Sequence, residues 1–345
     1  MLLWESAAPV RIAGVRIAPE ADGLRVDGRP TGPHWEAPGP GPHRAGAHLV
    51  RGRVAVERSE GGVRVINRVP LEAYVAGTLG REVYSRWHPA ALRAQAVATR
   101  SYALHQRRRR ADDPFDLEAG TRDQVYGGLT AETPPIREAV VHTRDEILTW
   151  RGEPILAVYH AASGGRSAGA EEVWGEALPY LRSRVVEQED ASPDTYWRAR
   201  IPGPTLVRSL AALGLPLATV REVRVAERTA SGRAARVELR GTRRDGRATA
   251  VAVTGRELRG ALGESRVRST LFEIHGPDRA GELVIVGSGH GHGVGMSQWG
   301  AQAMAERGAD YREILAAFYP GTTLERRGGT TLERRGASSR EGRVR

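Results

Sequence analysis

One carboxyl and two glycine-rich histidine segments carry the chemistry this sequence offers. Glu82 stands where one helix signal ends and another has yet to begin, before a turn that holds Ser85, Trp87 and His88. An acid beside a tryptophan at a helix junction can be partly desolvated, and burial raises a carboxyl pKa. A carboxyl poised toward neutrality serves first as acid and then as base. The second set is Tyr159-His160-Ala161-Ala162-Ser163-Gly164-Gly165, in which the two glycines allow a tight turn with backbone close to a ligand. The third is Gly289-His290-Gly291-His292-Gly293-Val294-Gly295-Met296-Ser297-Gln298, a flexible loop whose imidazoles can approach a substrate.

Three rival chemistries fail on spacing. His160 lies three residues before Ser163, but there is no Gly-x-Ser-x-Gly and no acid in sequence to orient the imidazole, so a serine nucleophile is not supported. His290 and His292 lack a third and fourth ligand nearby, and an isolated His-x-His is weak evidence for zinc. No Gly-Lys-(Ser/Thr) follows the glycines, which excludes a phosphate loop. Glu171 and Glu172 form a second acidic pair, read as a helix cap on a solvated face.

The elements that must position these groups follow from periodicity. Leu71, Val75 and Leu79 keep one helix face apolar, with Pro70 in the first turn and Glu72 at the positive end of the dipole. Pro89 opens a second, alanine-rich helix with Leu92, Ala96, Thr99 and Ala103 along one stripe. Glu72 and Glu82 share the first helix, about 15 Å apart along its axis, too far for a paired-carboxylate glycosidase. Arg93 and Arg100 share a face of the second helix and are candidates for holding substrate carboxylate or acetamide groups.

Upstream, Val10 to Leu24 reads as short strands, and Asp27 to His48, rich in Pro, Gly and His, as a loop or linker. His34, His43 and His48 within it are scattered without carboxylate partners. Arg51–Glu57 and Val63–Ile66 alternate around Gly61-Gly62 as a hairpin. Downstream come a helix near 135–144, strands over Ile147–Trp150 and Pro154–Tyr159, and an α+β stretch over 192–276. Leu283–Val286 is a strand, and helices follow over Gln298–Arg307 and Tyr311–Phe318. Gly321–Gly328 is repeated letter for letter as Gly329–Gly336, ahead of an Arg-rich tail expected to be disordered.

The chain has 345 residues and no cysteine, so neither a disulfide framework nor a thiolate zinc site is available. Its net charge of +10 is carried by arginine and favours acidic partners. The arginines are spread out with no aromatic-interleaved basic motif, so nucleic acid is not indicated. No run is long enough for a transmembrane segment, and the first residues lack the basic and apolar regions of a signal peptide.

The stretch from Val69 to Leu104 closely resembles the signature of the SpoIID/LytB family. The matching positions are Pro70, Leu71, Glu72, Tyr74, Gly77 and Glu82, then Pro89, Ala91 to Arg100, Tyr102 and Ala103. Arg93 replaces the family's lysine. Asp123 to Gly128, the His160 turn, Glu171 to Gly175 and Pro179 to Leu181 are also similar to family segments, and Gly289 to Ala301 matches its Gly/His motif almost completely.

The resemblance implies a peptidoglycan lytic transglycosylase, with Glu82 as catalytic residue and a 1,6-anhydro-MurNAc product. It implies no cofactor. Some members carry a metal held partly by cysteines, which this chain cannot copy. With Arg93 and Arg100 as candidates on one wall, the residues expected on the opposite wall of the cleft are Tyr159, His160, Ser163, Gly164, Gly165, His290, Gly291, His292 and Gln298. The implied partners are peptidoglycan glycan strands and a cell-wall amidase, and the implied location is the cell envelope. Some relatives are amidase enhancers, so a glycan-binding modulator is the alternative.

The expected fold is α+β, a mixed catalytic module around a central cleft. Its parts are a β-rich region with a Pro/Gly linker over 1–66, the core in two pieces over 67–191 and 277–322, an inserted subdomain over 192–276 and a disordered tail over 323–345.

Overall fold

The computed structural model describes residues 1–39 and 41–328. The chain is a mixed α+β protein in two compact units. The first comprises residues 1–85, 103–147 and 325–328, and the second comprises 86–102 and 148–324. Among the described residues no helix is long and apolar enough to cross a membrane.

In the first unit, alternation builds two antiparallel sheets. One orders Leu2–Ser6, Gly62–Arg68, Arg53–Ser59 and His34–Glu36, with Val56 opposite Val65 as the hairpin signal requires. The other runs Arg29–Thr31, Leu24–Val26, Val15–Pro19, Val10–Ile12, His43–Ala45 and His48–Val50. Ile12, Ile17, Leu24, Val54, Val56, Val63 and Val65 are completely buried. Their burial out of water is the main source of this unit's stability.

The stretch from Asp27 to His48 is therefore not a linker. It contributes strands to both sheets, each too short for its period to rise above the surrounding Pro and Gly. Its histidines serve separate local contacts. His34 lies 3.7 Å from Glu57, His43 Nε2 meets the Gly39 carbonyl at 3.0 Å, and His48 stacks near Trp4.

Helix α1 (Leu71–Glu82) and helix α3 (Pro134–His142) belong to this unit. Between them in sequence, α2 (Pro89–Arg109) gives its N-terminal part to the second unit and its C-terminal part to the first. Glu72 accepts from the Asp145 amide at 3.5 Å, in keeping with a structural role.

The second unit adds α4 (Ala170–Trp174), α5 (Gly203–Ala212), α6 (Gly255–Leu262), α7 (Gln298–Glu306) and α8 (Tyr311–Phe318). It has two apolar cores. In one, Ala94, Val97 and Ala98 of α2 meet Met296, Ala301, Ile314, Phe318 and Tyr319. The other collects Trp197, Ile201, Leu206, Leu210, Val237, Leu239, Leu258, Phe272, Leu283 and Ile285. It is covered by a sheet of Trp197–Ile201, Leu283–Gly287 and Phe272–His275, and by a meander of Thr219–Arg228, Ala234–Thr242 and Ala248–Thr254.

Three expectations change. The boundary placed at 276 falls inside a continuous structure, because Leu283–Gly287 is the central strand between Trp197–Ile201 and Phe272–His275. The run Pro154–Tyr159 is not one strand. Glu153–Pro154 pairs with Thr149–Trp150, and Tyr159–His160 pairs in parallel with Met296–Ser297. The tail does not lose order at 323. Thr323–Arg326 is a strand of the sheet that contains Glu146–Trp150, and Arg326 donates to Glu146 at 3.0 Å. The second octad and the rest of the tail lie outside the described residues.

Candidate active site

In the first unit, the end of α1 fixes Glu82. The helix stops there because Val83 turns to extended backbone while its amide still donates to Leu79. The half-buried Glu82 carboxylate accepts from the Val125 amide at 2.8 Å. That amide is held from both sides. Gln124 is buried and accepts from the Tyr74 hydroxyl at 2.8 Å. Tyr126 stacks on Tyr74, with ring centroids 5.7 Å apart and planes 11° from parallel.

Gly77 makes this stack possible, since a Cβ there would come within 2.6 Å of the Tyr126 ring. The Gly77 carbonyl also accepts from the Gly127 amide at 2.8 Å. Burial pushes the Tyr126 phenol up, and its hydroxyl donates to Asn67 at 3.3 Å. Asp123 anchors the start of the segment through Arg110 at 2.6 Å. The two family-like segments around Glu72–Glu82 and Asp123–Gly128 thus form one framework for the carboxyl.

In the second unit, the two histidine segments are zipped together by their backbones. Tyr159–His160 runs beside Met296–Ser297, Ala162 and His290 exchange backbone hydrogen bonds at 2.8 and 3.2 Å, and Ala168 donates to Gly293 at 2.8 Å. Every second residue from Gly289 to Gly295 has a positive φ, which explains the alternate glycines. The structure therefore brings Tyr159, His160, Ser163, Gly164, Gly165, His290, Gly291, His292 and Gln298 into one assembly.

Their roles within it differ. His160 is buried, donates from Nδ1 to the Val294 carbonyl at 3.0 Å, and leaves Nε2 buried without a hydrogen-bond partner among the described residues. Burial, then the nearby Arg233 charge, lowers its pKa to about 3. His292 accepts the Val294 amide on Nδ1 at 3.1 Å and bonds the Tyr159 backbone, so its neutral ring carries the proton on Nε2. Burial and the neighbouring His160 ring lower its pKa to about 3 as well. The half-exposed Trp174 lies against His292, with ring centroids 5.4 Å apart.

His290 alone of the three is oriented by an acid. Its Nδ1 lies 3.1 Å from Asp194, which Arg268 also engages. With Nδ1–H donating to the carboxylate, Nε2 is the ring's remaining polar atom, and the side chain is two-fifths exposed. Among the described residues no group of three or more His, Asp or Glu side chains is arranged to hold a metal ion.

Four expected substrate contacts, Arg100, Ser163, His160 and Gln298, are instead enclosed. Arg100 has no solvent exposure and is a core cation of α2, whereas Arg93 on the same helix is half-buried. Ser163 is also fully buried, and His160 nearly so. The Ser163 hydroxyl and amide donate to Glu189, as do the Gly165 amide and the Ser297 hydroxyl. Ser163 is thereby fixed as a loop clamp. Gln298, at the start of α7, lies 3.5 Å from Gln95, which lies 3.4 Å from Thr99.

Sequence reasoning missed Glu189, Asp194 and Arg233. Arg233 is buried and donates to the Ser163 carbonyl and the Arg166 carbonyl, each at 2.9 Å. Burial lowers its pKa to about 10, with Glu172 and Glu189 opposing that fall, so it stays charged at neutral pH. Gly293 is required beside it, because a Cβ there would meet the guanidinium at 2.5 Å. Burial alone would raise the Glu172 carboxyl, but donors on Ser231, Thr229 and Gly169 bring it below its ordinary value. Glu172 therefore caps its helix, as its place in α4 suggests.

These features define a class: an α+β protein with a backbone-held carboxyl at a helix end and paired glycine–histidine loops. A family model described as stage II sporulation protein matches residues 59–150, and one for a domain of unknown function matches 196–295. An uncharacterised protein of Brachyspira hyodysenteriae is 35% identical over 261 residues, covering 75% of this chain and 68% of that one. Stage II sporulation protein D of Bacillus amyloliquefaciens is 29% identical over 275 residues, 75% of each chain. The amidase enhancer of Bacillus subtilis is 27% identical over 288 residues, 72% of this chain but 40% of its own length. The chain belongs to the SpoIID/LytB family.

Proposed function

We propose that this chain is a peptidoglycan lytic transglycosylase of the cell envelope, with Glu82 as its one acid and base. The observation that carries the reading is the half-buried Glu82 carboxyl at the end of α1, held at 2.8 Å by the Val125 amide. The relatives named for sporulation and for amidase enhancement support a role in the cell wall.

In the proposed reaction, protonated Glu82 gives its proton to the oxygen between MurNAc and GlcNAc as the bond from C1 breaks. The carboxylate then takes the proton of the MurNAc C6 hydroxyl, whose oxygen closes on C1. The product is a 1,6-anhydro ring, and no water is consumed. One group acting in both directions contributes about two to four decades in rate. The paired loops of the second unit bind glycan, with His290, Gly291, Gly164, Gly165 and Tyr159 as contacts and Arg93 beside a substrate carboxylate. Ser163, His160 and Arg100 support that surface from within.

The Bacillus subtilis relative favours a second reading, a glycan-binding modulator whose partner is a cell-wall amidase. Mass spectrometry of products from intact and peptide-stripped peptidoglycan separates the two. Products ending in 1,6-anhydro-MurNAc, absent with Glu82→Gln, establish the transglycosylase. Reducing ends mean hydrolysis. Absence of products, with equal glycan binding by both proteins, leaves the modulator.

A further inference from the structure

The 196–295 region carries a second concavity, distinct from the His290 surface but joined to it through the chain. It is a pocket of about 620 Å³ over the end of the sheet formed by Trp197–Ile201, Leu283–Gly287 and Phe272–His275. That is the size of pocket that takes an organic ligand, mostly apolar with a few polar groups. Its solvent-side lining is Leu271 and Val286 with Arg198, Arg228, Glu273 and Ser288, above the core residues Trp197 and Phe272.

Tyr196 stands at the pocket 85% exposed, although tyrosine ordinarily buries much of its ring. The register sets the polar groups in a row, because Arg198 and Glu273 both face Val286 from opposite sides. The next outward cation on the strand, Arg200, pairs with Glu282 at 3.5 Å. Among the described residues neither Arg198 nor Glu273 has an ion-pair partner. An exposed aromatic face and the cations Arg198 and Arg228 over an apolar floor fit a pyranose with an acidic substituent, with Glu273 free to accept from its hydroxyls.

The pocket wall is tied directly to the Gly/His loop. Trp197 lies across Gly287, where a Cβ would come within 2.3 Å of the indole. Its Nε1–H donates to the Gly289 carbonyl at 2.9 Å. Ser288 lines the pocket, and its hydroxyl donates to the Thr195 carbonyl at 2.7 Å. His290 follows two residues later.

We propose that this pocket is a distal glycan subsite that holds a GlcNAc–MurNAc unit of the strand engaged by the His290 loop. Tyr196 stacks on a sugar face and Arg198 meets the lactyl carboxylate. The inference rests on the glycan reading of the previous subsection. It adds a second, non-reacting contact, which makes binding depend on chain length and on the carboxylate.

The test uses the full chain carrying Glu82→Gln, so that glycan is bound without turnover. It is titrated calorimetrically with a peptide-free GlcNAc–MurNAc tetrasaccharide and with the GlcNAc tetrasaccharide, which lacks carboxylates. Adding Tyr196→Ala is expected to weaken both by about three- to tenfold. Adding Arg198→Gln is expected to weaken the MurNAc-containing ligand alone, by about two- to fivefold. Both side chains are exposed, so neither change removes a core contact.

Unchanged affinity in both variants overturns the subsite, and so does failure of the parent chain to bind either ligand. Product analysis of the wild-type chain keeps the two proposals apart. Cleavage with normal binding by the Tyr196 and Arg198 variants defeats the subsite alone. Weakened binding by those variants, with no anhydro product from the wild type, defeats the transglycosylase alone.

Discussion

The surroundings of Glu82 and of the paired histidine loops are built from different parts. Around Glu82 the framework includes the Val125 amide, a tyrosine pair and a glycine that lets the rings lie flat against α1. The loops are fixed by buried ions, with Glu189 collecting hydroxyls and amides, Arg233 collecting carbonyls, and Asp194 orienting His290. A buried charge network holds loop geometry and is costly to disturb. We propose chemistry for the first region and recognition for the second.

The largest expected effect is at the carboxyl. Glu82→Gln removes the exchangeable proton and keeps an acceptor for Val125, so cleavage falls by about two to four decades, far more than its effect on thermal stability accounts for. Equal loss of stability and activity would instead make Glu82 structural. Next is Glu189→Gln, which puts an amide among several donors. It is expected to cost about 3 kcal/mol in urea unfolding. A cost below about 0.5 kcal/mol would show that the ion does not hold the loops.

The comparison sharpens with pH. His160 and His292 are held neutral with pKa values near 3, against 6.5 ordinarily. The unfolded chain binds their protons first, so stability is full above about 6.5 and falls as pH drops toward 3. The loss from pH 6.5 to 5 is expected to be about 2 kcal/mol for each ring, and His292→Gln flattens the profile. A profile unchanged by that substitution would contradict the burial. The smallest effect is Tyr74→Phe, which removes the hydroxyl bonded to Gln124. It is expected to cost about 1 kcal/mol of stability and to lower the cleavage rate without changing glycan affinity.

What the sequence made legible follows from the same contrast. Glu82, α1, the start of α2 and the span of α8 were readable because helix periodicity and end signals lie within a few residues. The Gly/His loop was readable as a motif, but not the partners that shape it. Asp194 lies 96 residues from His290, and Glu189 lies 108 from Ser297. Arg233 reads in sequence as the end of a polar turn, and only folding carries it under the Ser163 loop. Arg100 shows the complementary gap: helix spacing places it on a face with Arg93, but spacing cannot say that Arg100 is enclosed while Arg93 is not. Strands over 27–48 escaped because three-residue segments between Pro and Gly show almost no alternation.

The division of labour is tested most directly by measuring cleavage rate and glycan affinity side by side for Glu82→Gln and Asp194→Asn. The account predicts that Glu82→Gln abolishes cleavage at unchanged affinity. Asp194→Asn, which loosens His290, weakens affinity by about three- to tenfold and leaves the rate at saturating glycan within about twofold. Residual cleavage by Glu82→Gln at the wild-type rate, or loss of saturated rate with unchanged affinity in Asp194→Asn, would contradict it.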